Sequence, residues 1–332
     1  MQKAMQRIGE LLKTEYGAEV GVVGGNDFRS CVTNPKRAEG FNSAVVAVFP
    51  YYAGRSAGRV SLYARYADYH EVLKNALERG AAFLPEGTVR KVCADISPLN
   101  EVRAAALAGL GAVGRNGLLI TREYGSFVFI GEILIDAEID CVSAAAARCR
   151  DCGKCVSACP TGALSGRGEC LSSLTQKRRL TPEEEDEVRR CGSQWGCDIC
   201  QLVCPMNSNV KKTSIPDFTG EKMPAVTEFR TAGLDDDGIS EKYAGRPFLW
   251  RGAKVVRRNA EFFSVPGEPG SALKAETPVE RDENGKERHG GAEPRKLGAE
   301  SGGEKPEHSR AGHDGENTAS REEHCAAADA EA

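Results

Sequence analysis

The first seventeen residues, MQKAMQRIGELLKTEYG, set Met5, Ile8, Leu11 and Leu12 on one side of a 3.6-residue period and charges on the other, which predicts an amphipathic helix. The pattern then changes to short apolar runs rich in β-branched and aromatic residues. AEVGVV (18–23), SAVVAVF (43–49), VRKVCAD (89–95) and FVFIGEILID (127–136) read as strands. Between them YADYHEVLKNALERGAAFL (66–84) returns to helical spacing, and EVRAAALA (101–108) is built from good helix formers. Further on, TPEEEDEVRR (181–190) opens a helix with Thr181 as N-cap, Pro182 at the first position and Glu184 closing a capping box. The fold class expected is α+β, with an α/β layer over residues 1–140 large enough for its own core and a pocket.

Residues 109–117, GLGAVGRNG, begin with six letters that fit the GxGxxG dinucleotide fingerprint. The fingerprint has physical content only where a strand enters the glycines and a helix leaves them. Here EVRAAALA precedes and the strand-like LLIT (118–121) follows, so no helix N-terminus meets a phosphate. Asp136, at the right distance for a ribose contact, ends a strand with no crossover helix before it. A helix C-terminus closed by a left-handed glycine is the reading that remains.

Charge is distributed unevenly. From Pro266 onward there are 16 Asp and Glu against 9 Lys and Arg, a balance of −7; with −4 for the whole chain, the first 265 residues carry +3. That tail is Gly, Pro, Glu and Lys with almost no large apolar residue, and disorder is expected over 264–332. Four of the five histidines, His289, His308, His313 and His324, lie in it, which leaves His70 in the folded part and argues against histidine-based catalysis and against a poly-histidine metal site. The start lacks the apolar stretch of a signal peptide and no run approaches a membrane span. A cytoplasmic protein without membrane contact is expected, with its 13 cysteines as reduced thiols or metal ligands.

The cysteines carry the chemistry. CRDCGKCVSACP (149–160) is CxxCxxCxxxCP, the bacterial ferredoxin run, in which three cysteines bind one [4Fe-4S] cluster and the fourth binds another. WGCDICQLVCPMN (195–207) repeats it in part as CxxCxxxCP through Cys197, Cys200 and Cys204. By the crossover logic Cys149, Cys152 and Cys155 join Cys204, and Cys159 joins Cys197, Cys200 and an eighth thiolate, which is Cys170 or Cys191. Structural zinc has no need of seven cysteines in two runs that each end in CP. Residues 141–215 thus form a double-cluster, ferredoxin-like domain that relays electrons, and 216–263 a helical extension. Cys31, Cys93, Cys141 and Cys325 have no partner at ligand spacing and read as small hydrophobes or idle thiols.

ADYHEVL (67–73), DISPLNEVRAAALAGLGAVGRNGLLI (95–120), GSFVFIGEILID (125–136), the ferredoxin run, ECLSSLT (169–175) and WGCDICQLVCPMN occur in one order and spacing that resembles the epoxyqueuosine reductases; RGAKVVRRNA (251–260) is a weaker likeness. The resemblance implies a cobalamin-dependent, double-cluster reductase converting epoxyqueuosine to queuosine in tRNA, with an N-terminal corrinoid domain of nitroreductase-like fold. It implies Asp95, which opens DxxPxxE with Pro98 and Glu101, as the proton donor, and Cys170 as the eighth ligand. By position His70, Asn116, Gly117, Ser172 and Asp198 are expected near the corrin. Asp68, Tyr69 and His70 give the DxH of base-replacing corrinoid proteins, but Leu73 stands where that motif has glycine. The family's GLGWIGKN is altered here at Ala112 and Arg115.

Removing an epoxide oxygen as water consumes two electrons and two protons, so it requires a strong reductant and a general acid. The alternative role for Asp95 is N-cap of a helix beginning near Leu99. An external donor such as ferredoxin or flavodoxin, and a monomeric state, complete the expectation. KRR (177–179), Arg189, Arg190, Lys211, Lys212, Lys254, Arg257 and Arg258 are the basic residues available to tRNA phosphates. Two other readings share these cofactors or part of them: a corrinoid reductase acting on a small molecule, like the reductive dehalogenases, and an iron-sulfur carrier or activator for a separate corrinoid protein.

Overall fold

The computed structural model describes residues 1–139 and 149–264; Cys141, Cys325, the four later histidines and the charged tail lie outside these. The four strand-like runs become one antiparallel sheet. Its strands are β1 (Glu19–Gly24), β2 (Ser43–Pro50), β3 (Arg90–Ala94) and, last in sequence, β6 (Val128–Ile135), in the order β1-β2-β6-β3. Between β3 and β6 a two-stranded ribbon joins β4 (Ala112–Val113) to β5 (Leu119–Ile120).

SAVVAVF shows no polar alternation because β2 is buried at every position. Val45, Ala47 and Phe49 face one side with Phe129, Ile133 and Ile135, under the helices Gln2–Tyr16 and Tyr69–Ala81. Ala44, Val46 and Val48 face the other with Leu134 and Cys93, under the helices Gly25–Cys31 and Glu101–Leu107. The result is a helix, sheet, helix sandwich, and its central strands bury apolar residues on both faces.

The helix Glu101–Leu107 ends at Gly109, whose φ of 79° is the left-handed closure expected of the glycine stretch. The capping box at Thr181 and Glu184 forms as the sequence predicts, and the helix runs Pro182–Cys191. A third core joins Val60 and Ala64 to Trp195, Phe229, Tyr243, Phe248 and Val256, so the chain after the cysteines packs on the segment around residue 60. Asn259, of the RRNA segment, is fully buried and its amide donates to the carbonyls of Thr175 (2.7 Å) and Gln194 (2.8 Å).

Candidate active site and cysteine centres

β3 delivers the chain to Asp95, which turns with φ 72°, a left-handed conformation that residues other than glycine seldom hold. From the opposite side Asp68 caps the helix Tyr69–Ala81, accepting the His70 backbone N–H at 3.1 Å. Its Oδ1 also lies 2.7 Å from His70 Nδ1, while His70 Nε2 lies 3.2 Å from Asp95 Oδ2. An imidazole is thereby held between two carboxylates. Burial alone would lower the His70 pKa, but the hydrogen bonds to Asp68 and Asp95 raise it to about 9. His70 is then an imidazolium at neutral pH, donating from both nitrogens.

The rings behind this pair are ordered by stacking. Tyr69 lies 4.0 Å from His70 and 4.2 Å from Phe129, centroid to centroid. Tyr63 meets Tyr69 edge-on at 6.3 Å and accepts the Trp195 indole N–H at 2.9 Å. Burial, with the nearby aspartates, raises the pKa of both phenols, so they stay protonated. The front of the pair is open: the Asp95 side chain is 55% exposed and Ile96 64% exposed. The capping role weighed for Asp95 belongs to Asn100, whose side chain accepts Arg103 N–H at 3.0 Å, and the helix starts at Glu101 instead of near Leu99.

Cys149, Cys152, Cys155 and Cys204 line one small cavity together with Arg115 and Asn116. Cys170 lies within electrostatic reach of both Cys197 and Cys200, and Cys159 within reach of Cys191. Burial pushes the Cys200 thiol up to about 11 and the Cys197 thiol up to about 12. Among the described residues no three His, Cys, Asp or Glu side chains close around one point as metal ligands would. The donor set itself suits iron-sulfur clusters, with the first four thiols lining one space.

The remaining predicted residues occupy different stations. Asn116 hydrogen-bonds the Cys200 thiol, and Arg115 pairs with Asp151 of the ferredoxin run at 2.9 Å, so GLGAVGRNG ends at the cysteines. Gly117 turns with φ 78° facing open space. The Ser172 hydroxyl bonds Tyr63 and accepts from Gln176 at 3.2 Å. Asp198 accepts Ser61 Oγ at 2.5 Å and Leu62 N–H at 2.8 Å, which locks the second cysteine run to the segment before Tyr63. Gly196 permits that docking: its φ is 70°, and a Cβ there would come within 2.5 Å of Ser61 Cβ.

Sequence reading missed Tyr63 and Glu132. Nothing in SLYARY marks Tyr63, whereas Glu132 had a signal, a lone acid inside the apolar run FVFIGEILID. Half of the ten basic residues singled out for phosphate are ion-paired instead: Lys177 with Glu169 and Glu184, Arg189 with Glu185, Arg190 with Glu187, Lys211 with Glu123, and Arg257 with Asp236. The described ion pairs leave out Arg178, Arg179, Lys212, Lys254 and Arg258, and also Arg251. Arg251 stacks 3.6 Å over the 55% exposed Trp250, and its buried Nε has no hydrogen-bond partner.

Sandwich and cysteine runs together define a double-cluster iron-sulfur protein with a mixed helix and sheet domain. A family model for a 4Fe-4S double cluster binding domain matches residues 148–207, and one described as epoxyqueuosine reductase QueG, DUF1730, matches 33–95. The chain is thus similar to the epoxyqueuosine reductases over both its sheet domain and its cysteine runs. An epoxyqueuosine reductase of Lactococcus garvieae is 36% identical over 211 residues, 59% of this chain and 58% of that protein. One from Gloeobacter violaceus is 29% identical over 297 residues, 82% of this chain and 89% of that protein. The fold matches a solved epoxyqueuosine reductase carrying an epoxyqueuosine-modified tRNA-Tyr stem loop, with TM-score 0.66, 23% identity, and 79% of this chain against 80% of that one. The chain spans little more than half the length of the Lactococcus relative.

Proposed function

We propose that this protein reduces epoxyqueuosine to queuosine in tRNA, using two [4Fe-4S] clusters and a bound cobalamin, with Asp95 as the proton donor to the leaving oxygen. The reading rests on one observation above all: a half-exposed carboxylate in a strained backbone position, tied to an imidazolium, in a chain that also gathers the double-cluster cysteines. The epoxyqueuosine reductase family is cobalamin-dependent. Here the residues fit such a group, because exposed Ile96 and reachable Asp95 offer an apolar rim beside an acid. Cobalamin, when bound, supplies the low-potential electrons to the substrate.

The chain's own residues handle the protons. The imidazolium of His70 donates from Nε2 to Asp95 Oδ2 and can restore the proton that Asp95 gives up. Tyr63 and Tyr69 hold the imidazole and close the back of the pocket, with Ser172 fixing the Tyr63 hydroxyl. We assign Cys149, Cys152, Cys155 and Cys204 to one cluster and Cys159, Cys170, Cys197 and Cys200 to the other; Cys170 lying within electrostatic reach of Cys197 and Cys200 supports it over Cys191. In this reading residues 1–140 are nitroreductase-like and 141–215 ferredoxin-like, the electrons come from an external ferredoxin or flavodoxin, and a monomer works in the cytoplasm. Among the described residues no helix is long and apolar enough to cross a membrane. Trp250, Arg251 and Arg178 offer RNA an aromatic platform with unpaired cations beside it.

The test is anaerobic. Protein carrying iron and cobalamin, given a reductant and an epoxyqueuosine-bearing RNA stem loop, should form queuosine. Asp95→Asn should slow this by roughly 100-fold or more with iron and cobalt content unchanged. Absence of product with the fully loaded wild type refutes the reading.

A further inference from the structure

The two sets of cluster thiols have different surroundings. Cys197 and Cys200 lie on the pocket side: Trp195, two residues before, donates to Tyr63, and Asp198 is held by Ser61 and Leu62. The first run faces out. Cys152 is exposed, and Arg115 and Arg150 line one cavity with Cys149, Cys152, Cys155 and Cys204. Asp151, with φ 47°, donates its N–H to Cys149 Sγ at 3.4 Å and accepts from Arg115 at 2.9 Å, so the loop that carries Arg150 is fixed against the cysteines. Lys154 opens the helix Lys154–Ala158, which packs on the helix Ile199–Leu202 that holds Cys200 and leads to Cys204. The two sets therefore adjoin, one toward the pocket and one at the surface.

Charge separates the two sets further. At the first run stand three exposed cations, Arg115, Arg150 and Lys154, against one carboxylate, Asp151. Arg150 and Lys154 enter no ion pair among the described residues. Cys170 of the second set is exposed as well, but the cations near it are engaged: Lys177 by Glu169 and Glu184, Arg190 by Glu187, and Arg167 by Ser165 at 3.0 Å. Few large apolar side chains of the described residues are exposed, and two of them adjoin the first run's lining in the chain. Val113 (49%) lies two residues before Arg115, and Val203 (36%) directly precedes Cys204. A basic rim with apolar side chains beside it suits a protein partner of opposite charge. RNA binds such rims through stacked bases as well, and no aromatic ring lines this cavity.

We propose that Arg115, Arg150 and Lys154 dock a low-potential, one-electron carrier protein of acidic surface, so that electrons enter at the first set of cysteines and leave toward Asp95 through the second. This role rests on the reductase reading and its two clusters, and places the donor that the reading requires. Four thiolates leave an iron cluster with net negative charge, which by itself repels an acidic carrier. The rim reverses that sign where the first set is exposed, and such a field steers encounter. Each encounter moves one electron: the carrier is oxidised by one, the cluster is reduced by one, and no atom or proton passes between them. Two encounters supply the two electrons that removal of the epoxide oxygen consumes.

Anaerobic stopped-flow mixing of the iron-loaded, cobalamin-free protein with a reduced, acidic flavodoxin follows the bleaching of the clusters with no epoxyqueuosine present. The wild-type rate should fall by roughly tenfold or more between low salt and about 0.5 M, where exposed charges are screened. Arg150→Glu combined with Lys154→Glu should lower the low-salt rate by roughly the same factor, Arg150→Gln should fall between, and Arg150→Lys should match wild type. Photoreduced deazaflavin, an uncharged electron donor, should bleach every variant at the wild-type rate and at full iron content, which a damaged cluster site would not allow. Equal losses with both donors, or a flavodoxin rate indifferent to charge reversal, overturn the proposal. So does charge reversal that weakens RNA stem-loop binding and spares the flavodoxin rate. A wild type that takes electrons in this way yet forms no queuosine refutes the assigned activity alone.

Discussion

Replacing Asp95 by Asn should lower the titration midpoint of His70 by about one unit. The structure places the ring 2.7 Å from Asp68 and 3.2 Å from Asp95, and against the opposing effect of burial these bonds raise it from 6.5 to about 9. That shift, roughly 2.5 units, corresponds to about 3.4 kcal/mol of preference for the imidazolium as a ceiling. Asp95 is the longer contact and its side chain is 55% exposed, so solvent screens its share to about 1.4 kcal/mol or less. Asp68→Asn should remove the larger share and bring the midpoint to 6.5 or lower, while Asn still caps the helix. Proton NMR titration of the cobalamin-free protein, with the ring signals assigned from His70→Gln, measures all three. Because the folded pKa is raised, the stability the contact contributes is full below 6.5 and is lost as pH climbs through 9. The advantage of wild type over His70→Gln should therefore shrink across that window. A wild-type midpoint at or below 6.5, or one unmoved by Asp95→Asn, would sink the picture of an imidazolium feeding Asp95.

The cysteine assignment and the RNA surface have their own tests. Cys170→Ser should leave about four of about eight irons in protein prepared without oxygen while Cys191→Ser keeps them all, and the reverse outcome would exchange the two residues. Trp250→Ala should weaken RNA stem-loop binding by roughly tenfold, the value of one stacked base, and Arg251→Ala should reduce the salt dependence by about one phosphate contact; unchanged binding would remove this surface from the interface.

Where the sequence was legible, one physical pattern dominated. β2 had to be a strand buried on both faces because seven apolar or small residues ran without alternation, and the capping box could be located because it is local chemistry. The cysteine runs declared their chemistry by spacing alone. The residues that escaped act through pairings between distant segments. Tyr63 matters because Trp195 donates to its hydroxyl from 132 residues away. Asp198, expected beside the corrin, is seen accepting from Ser61 and Leu62, a contact only the folded chain could show. The basic residues were misleading for the same reason, since their acidic partners, such as Glu123 for Lys211, come from other elements. Composition could not tell a solvated cation from a paired one.

One continuous stretch joins the two halves of the chemistry. Asp95 starts it, Glu101 begins a seven-residue helix about 10 Å long, Gly109 closes that helix, and Arg115 and Asn116 end it against Asp151 and Cys200. A second bridge runs in parallel, from His70 through Tyr69 and Tyr63 to Trp195, whose next residues are the cysteine run itself. The proposed proton donor, Asp95, and the cysteine runs are thus tied to one another by two short, well-packed connections. The helix between them packs beneath the central strands, where Ala104 and Ala105 are fully buried. Its small side chains let it lie close to β6, with Glu101 within electrostatic reach of Glu132. The glycines that resemble a nucleotide fingerprint therefore serve a different end: they stop this helix at the length that leaves an acid at one end and cluster cysteines at the other.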